Sequence, residues 1–406
     1  MRIAVIGEFR ADRVVDAITR SGHHDLVLLG PTDVADYVGR RARHRHLAAS
    51  AEPEDLLAVW TEEDVELVIP SLYPVDQEQL LPSLAAAADA WRGPGRHAVV
   101  HSTRFADLVT DKAMFHRVAL AAGWPVPEAV ICDRVEELES AVRRIGGLPV
   151  MVKEARSLPR AGRWHVDTEQ RLTTLPLTAF PVVVQRVCRG EEFGLELLSG
   201  ANVTDCWPIA SFGPLDQRCI PGHRARLAPI ALPPAVITEL AGFIRGMTDQ
   251  FDVCGPWQID FAVCDGRLQV LEVNGRLSGM ADLSAATTGL DPYDAFVDAC
   301  LGQPRVVPPA RRLALELPIR LDAQLPGLPW GVRMRRQFPL PTNRSLPVDF
   351  QRLLVTADDP VLLAKWLRDF PPDALLTGSP GQLAATALEM SPLLTSAGWP
   401  RGCPPV

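Results

Sequence analysis

Residues 257–274 read WQIDFAVCDGRLQVLEVN, two alternating arms around a turn. Gln258 and Asp260 point one way on the first arm, Ile259 and Phe261 the other. On the return arm Glu272 and Asn274 share one side, with Leu271 and Val273 opposite. Asp265-Gly266 supplies the turn. Register decides whether the polar residues meet. A two-residue loop would pair Ile259 with Glu272 and send Asp260 and Glu272 to opposite faces. A three-residue loop, Cys264 to Gly266 with Gly266 left-handed, pairs Asp260 with Val270 and gathers Gln258, Asp260, Glu272 and Asn274 on one face. The odd-length loop is the expectation. Two carboxylates and an amide oxygen so placed suit a hard divalent cation, Mg²⁺, with phosphate oxygens and waters completing the shell. Arg276, just beyond, adds anion recognition beside the metal.

Upstream, the first hundred residues alternate strand and helix. Ile3–Ile6, Leu26–Leu29 and Leu67–Ile69 read as buried strands. Asp12–Ser21, Pro53–Trp60 and Gln77–Ala90 read as helices, a pattern that builds a parallel βαβ sheet. The first strand ends in Gly7-Glu8-Phe9-Arg10, which lacks the glycine spacing of a dinucleotide site. Thr110 is the expected N-cap of a helix stopped by Gly123. Beyond it the pattern predicts a helix at Val135–Ile145 and strands at Val150–Lys153, Val182–Arg186 and Phe193–Leu198. A further helix at Pro234–Asp249 precedes the hairpin. The last 106 residues hold 17 of the 37 prolines, which marks a separate C-terminal unit with weaker helices near Pro360–Asp369 and Gln382–Met390.

Composition bounds the chemistry. The 406 residues carry 41 Lys plus Arg against 49 Asp plus Glu, a formal charge of -8 without the basic footprint of a nucleic-acid binder. No apolar run is long enough to span a bilayer, and Met1–Gly7 reads as a strand rather than a signal peptide. The eight cysteines form no Cys-x-x-Cys pair, which suits a reducing, cytoplasmic setting. Only Lys112, Lys153 and Lys365 are lysines.

Together these segments resemble the ATP-grasp superfamily of carboxylate–amine ligases. The closing motif of that family, Glu-x-Asn-x-Arg after a strand, appears as Glu272-Val273-Asn274-Gly275-Arg276, preceded by the acidic strand residue Asp260. The resemblance implies an α/β (α+β) ATP-grasp fold. An N-terminal βαβ pre-grasp domain would span 1–105 and the grasp domain 106–300, with its lid at about 125–185. A small C-terminal α+β domain would span 301–406. It implies ATP as cosubstrate, with Asp260, Glu272 and Asn274 holding Mg²⁺ (or Mn²⁺) and Arg276 steadying the transferred phosphoryl group. Lys112, at a helix start, and Lys153, on a lid strand, would reach ATP phosphates. Gln185, Arg186 and Cys188 would take the adenine and Glu192 the ribose. Two features depart from the family pattern. The loop 157–163 holds one glycine where a glycine-rich lid is usual, and Gly275 replaces the usual proline.

The implied reaction activates a carboxylate as an acyl phosphate and joins it to an amine. Arg224 or Arg226 is the expected contact for the substrate carboxylate, with His223 secondary and Gln258 beside the metals. The Arg276-Leu-Ser-Gly279 ending and the extra C-terminal unit look most like the L-amino-acid ligase branch. A purine-pathway or biotin-carboxylase-like enzyme, or a nucleotide-binding protein without turnover, are the alternatives. Expected partners are small-molecule acids and amines and, as in related enzymes, a second copy of the chain; neither nucleic acid nor membrane is expected.

Overall fold

The computed structural model describes residues 1–31, 38–72, 77–157, 162–200, 203–215, 224–337, 350–376 and 378–390. The N-terminal region forms a five-stranded parallel sheet in the order Arg43–His46, Asp25–Gly30, Arg2–Ile6, Leu67–Pro70, His97–Ala98. Its central strands are continuous apolar runs because helices cover both faces, and Ile3, Ala4, Val5 and Ile6 are all fully buried. Gly7 ends the first strand at φ 112°, where a Cβ would lie 2.3 Å from the Ser71 carbonyl oxygen. Only glycine lets the two strand ends approach this closely.

The lid is a four-stranded antiparallel sheet ordered Ala129–Cys132, Val182–Arg186, Val150–Glu154, Arg163–Val166. The helix Leu138–Arg144 packs Leu138, Ala141 and Val142 onto Val150, Val152, Val182 and Val184, giving the lid its own small core.

The main sheet has nine strands, paired antiparallel. Eight run in the order Arg267–Asn274, Gly255–Cys264, Glu191–Ser199, Ala210–Pro214, Arg226–Ala228, Leu313–Arg320, Phe350–Ala357, Val332–Gln337, and Thr204–Cys206 pairs beside Glu191–Ser199. The three strands after residue 301 therefore extend the sheet that starts at the carboxylate hairpin. Trp257, Ile259 and Phe261 share one core with Leu315, Leu353, Val355 and Trp366. High proline content marked a change of composition there, not a break in the sheet. Among the described residues, no helix is long and apolar enough to cross a membrane.

Two local expectations are corrected. Thr110 does not cap the helix of Lys112; it ends a preceding helix, Thr103–Thr110, and turns its hydroxyl back to the Ala106 carbonyl at 2.8 Å. Asp111 is the cap of Lys112–Ala121, accepting from the Met114 N–H at 2.9 Å. A short side-chain acceptor in extended backbone fills the role that an Oγ committed to its own helix cannot.

The second correction concerns the hairpin. Its loop has two residues, Asp265 (φ 51°) and Gly266 (φ 74°), with Cys264 opposite Arg267. The three-residue loop and its pairing of Asp260 with Val270 do not form. Instead the register shifts between Phe261, opposite Val270, and Asp260, opposite Glu272, so that Leu271 is the extra residue of a β-bulge. The bulge reverses the side assignment that the short turn alone would impose. Gln258 faces Asn274 and Asp260 faces Glu272 across the ladder, so the polar residues share a face by a different route from the one expected.

Candidate active site

The polar face continues onto the next strand, where Gly194 lies opposite Asp260 and Glu196 opposite Gln258. Gly194 has no room for a side chain, since a Cβ would lie 2.5 Å from Phe212 and 2.7 Å from Met280. Within the hairpin, the Gln258 amide donates to Asp260 Oδ1 at 2.6 Å and the Asn274 amide to Oδ2 at 3.4 Å. Burial, with Glu192 and Glu272 as neighbouring acids, pushes the Asp260 carboxyl up to about 7. Glu272 behaves oppositely. Burial acts to raise it, but Lys112, Lys153, Arg163 and Arg276 outweigh that and hold it below the usual carboxylate range.

Those cations arrive from separate elements. Lys112 starts its helix, and its Nζ lies 3.9 Å from Glu272 Oε1 while donating to the Ser157 carbonyl and hydroxyl, both at 3.3 Å. Lys153 reaches in from the lid strand Val150–Glu154. Burial, joined by Arg163 and Lys112, depresses it to about 8 against the pull of Glu272. Arg276 donates to Asn274 Oδ1 at 3.3 Å and, through Nε, to Glu78 Oε2 at 3.2 Å. Glu78 belongs to a short turn of the N-terminal region, Gln77–Leu80, and burial raises its pKa despite Arg276. Gly275 sits where a Cβ would be 2.6 Å from Leu81, so the helix packed against the motif occupies the space a larger residue would need.

The remaining expected residues are placed as follows. Gln185 is buried on its lid strand, and its Oε1 has no hydrogen-bond partner. Arg186 is exposed and donates to Glu128 at 2.6 Å. Burial and then the neighbouring Cys264 push the Cys188 thiol up to about 12. Glu192 is paired with Arg224, which also donates to the carbonyls of Gly213 at 3.0 Å and Pro214 at 3.1 Å. Arg226 donates to the Gly279 carbonyl at 3.0 Å and to Glu316 at 3.2 Å. His223 and the lid-loop residues 158–161 lie outside the described residues. Among those described, no three His, Cys, Asp or Glu side chains gather as a metal-binding group; the hairpin offers two carboxylates and one amide.

Two acids went unnoticed in the sequence. Glu78 lies 198 positions from its partner Arg276, with no local signal. Glu196 had one, because Glu192, Gly194 and Glu196 alternate along a strand. It is 1% exposed and accepts from the Ser278 N–H at 3.1 Å, the Ser278 hydroxyl at 2.6 Å and the Ser284 hydroxyl at 2.5 Å. It thereby anchors the segment that follows Arg276.

No family model matches the chain. In architecture it is similar to N5-carboxyaminoimidazole ribonucleotide synthetase from Thermus thermophilus, with a TM-score of 0.69 at 17% identity over 90% of this chain and 96% of that one. An L-amino acid ligase from Bacillus licheniformis gives a TM-score of 0.65 at 16% identity, covering 88% and 93%. The chain has the ATP-grasp fold. The α/β architecture is the one the sequence motifs implied. Among curated relatives, this chain is 31% identical over 280 residues to a formate-dependent phosphoribosylglycinamide formyltransferase from Cupriavidus pinatubonensis, covering 65% of this chain and 66% of that one. It is 27% identical over 191 residues to the carbamoyl phosphate synthase large chain of Methanocorpusculum labreanum; the match takes in 44% of this chain and only 18% of that relative.

Proposed function

We propose that the chain is an ATP-dependent carboxylate–amine ligase that forms an amide through an acyl phosphate. The observation that carries this reading is the opposition of Asp260 and Glu272 across the bulged hairpin, with Lys112, Lys153 and Arg276 facing the same space. Two carboxylates flanked by three cations fit a polyphosphate carried on a divalent metal better than either group alone. A carboxyl as costly to ionise as Asp260 is also a group that a bound cation would relieve. Asp260, Glu272 and Asn274 would hold Mg²⁺, or Mn²⁺, which supplies charge neutralisation on the phosphates.

The chain's own residues account for the rest. Lys112 and Lys153 place point charges on the phosphates from the helix start and the lid strand. Arg276, aimed by Glu78 and Asn274, stabilises charge on the transferred phosphoryl group. At the hinge, the unpartnered Gln185 oxygen offers an acceptor to an exocyclic amine of the base, with Arg186 and Cys188 in the same segment and Glu192 toward the ribose. A substrate carboxylate then attacks the γ-phosphorus, ADP departs, and an amine displaces phosphate from the acyl phosphate. An amino acid is the proposed acid. Arg226, near Asp260, is its proposed contact; Arg224 is turned to Glu192, and Gln258 lies beside the metal carboxylates.

ADP release with a panel of amino acids and amines tests the reading. ADP formation that requires both an acid and an amine supports it. Normal ATP binding with no stimulation by any member of the panel would overturn it and leave a nucleotide-binding protein without turnover.

A further inference from the structure

The strand Glu191–Ser199 brings a further carboxylate to the hairpin face. Side chains alternate along it, and Gly194 lies opposite Asp260, so Glu192 stands one alternation along on the same side. Among the neighbouring charges, that of Glu192 acts most strongly on the Asp260 carboxyl. Glu192 has a cation of its own. Arg224, 7% exposed, donates from Nη1 to Oε2 of Glu192, and from Nη2 to the carbonyls of Gly213 at 3.0 Å and Pro214 at 3.1 Å. Its guanidinium carbon also lies 5.8 Å from the centroid of the Phe212 ring.

Both terminal nitrogens of Arg224 thus have protein acceptors, and the fork ties Glu192 to the end of the neighbouring strand Ala210–Pro214. A guanidinium that already holds one carboxylate and two carbonyls is a poor receptor for a second carboxylate. It is well made to hold the first one still. The ion pair uses Oε2 alone, so the lone pairs of Oε1 stay available to an incoming donor. Without the cation, Glu192 would repel Asp260 and turn away from the shared face.

We infer that Arg224 is a positioning residue of the nucleotide site. It holds Glu192 so that the remaining carboxylate oxygen accepts from the vicinal hydroxyls of ribose, which makes the cleft selective for ribonucleotides. This rests on the nucleotide part of the ligase reading. A fixed, charged acceptor left without its donor is costly, so a site built around a hydroxyl rejects the analogue that lacks it.

The test titrates the full chain, with Mg²⁺ present, calorimetrically with ADP and with 2′-deoxy-ADP. The parent should bind ADP about tenfold more tightly than the deoxy nucleotide, or better. Arg224→Gln should cut that ratio to about twofold or less, mainly by weakening ADP. Arg224→Lys keeps the charge and loses the fork, so its ratio should fall between the two. Glu192→Gln should narrow the ratio as well, and the double variant Glu192→Gln, Arg224→Gln should narrow it no further. No preference in the parent, a parental ratio in Arg224→Gln, or an equal loss of both nucleotides would overturn the inference. The last result would leave Arg224 a purely structural group. Should the glutamine variant not fold, Arg224→Lys carries the test alone: a lowered ratio supports the inference and a parental ratio overturns it. Binding needs no turnover. A ribose preference without ADP release would contradict the ligase reading alone, and ADP release without that preference would contradict this inference alone.

Discussion

The two ends of the main sheet gather charged groups by different means. At the hairpin end, Gln258, Asp260, Glu272 and Asn274 come from one local ladder, and cations from other elements are drawn to them. At the far end, Arg10 from the first βα loop, Arg13 from the first helix and arginines from three strands meet Asp282 on a helix and Glu316 on a strand only in three dimensions. The hairpin carboxylates form a local motif; the arginine cluster is an assembly. A local motif can be read along the chain, whereas an assembly exists only after folding.

The largest expected effect isolates the hairpin end. Glu272→Gln keeps the shape and removes the charge that Lys112, Lys153 and Arg276 surround, and should lower ADP release by about 10³-fold or more. Circular dichroism should show an unchanged fold. Near-normal rates in that variant would dissolve the contrast between the two ends.

Glu196, between the ends, gives a pH test. Burial pushes it up to about 7 from an ordinary 4.5, against the pull of its serine partners. A raised folded-state pKa means its stabilising contribution is complete below about pH 4.5 and is lost as pH rises through 7. Glu196→Gln, always neutral, should therefore gain stability relative to the parent across that window, by about 2–3 kcal/mol in urea unfolding. A difference independent of pH would show that Glu196 is not the titrating group.

Smaller effects test the links between regions. Glu78→Gln should leave the fold unchanged and cost about tenfold in kcat, because Arg276 loses the carboxylate that aims it while the metal carboxylates stay in place. A change confined to KM would instead put Glu78 in ground-state binding. Gly266→Ala, at φ 74° with open space around it, should cost about 1 kcal/mol of stability and leave KM unaltered.

Much of this was visible in the sequence. Apolar runs at Ile3–Ile6 and Leu67–Ile69 announced the parallel sheet, and the alternating arms around Asp265-Gly266 announced the hairpin. Register was not, because loop length alone does not encode a bulge, and Leu271 looks like any other apolar strand residue. Thr110 and Asp111 are both plausible caps on paper; the choice depends on the helix Thr103–Thr110, which is too short to show a clear period. Glu78 and the Asp282 cluster were invisible for a different reason: each takes its meaning from partners far away in the chain. The proline-rich segment was misleading, since composition does not report which sheet a strand joins.

The ligase reading is tested most directly by replacing the amine with hydroxylamine and measuring hydroxamate alongside ADP. The expected result is an acid-dependent hydroxamate formed in equal amount to ADP and absent in Glu272→Gln. ADP formed without hydroxamate, whatever acid is supplied, would contradict acyl-phosphate chemistry at this hairpin.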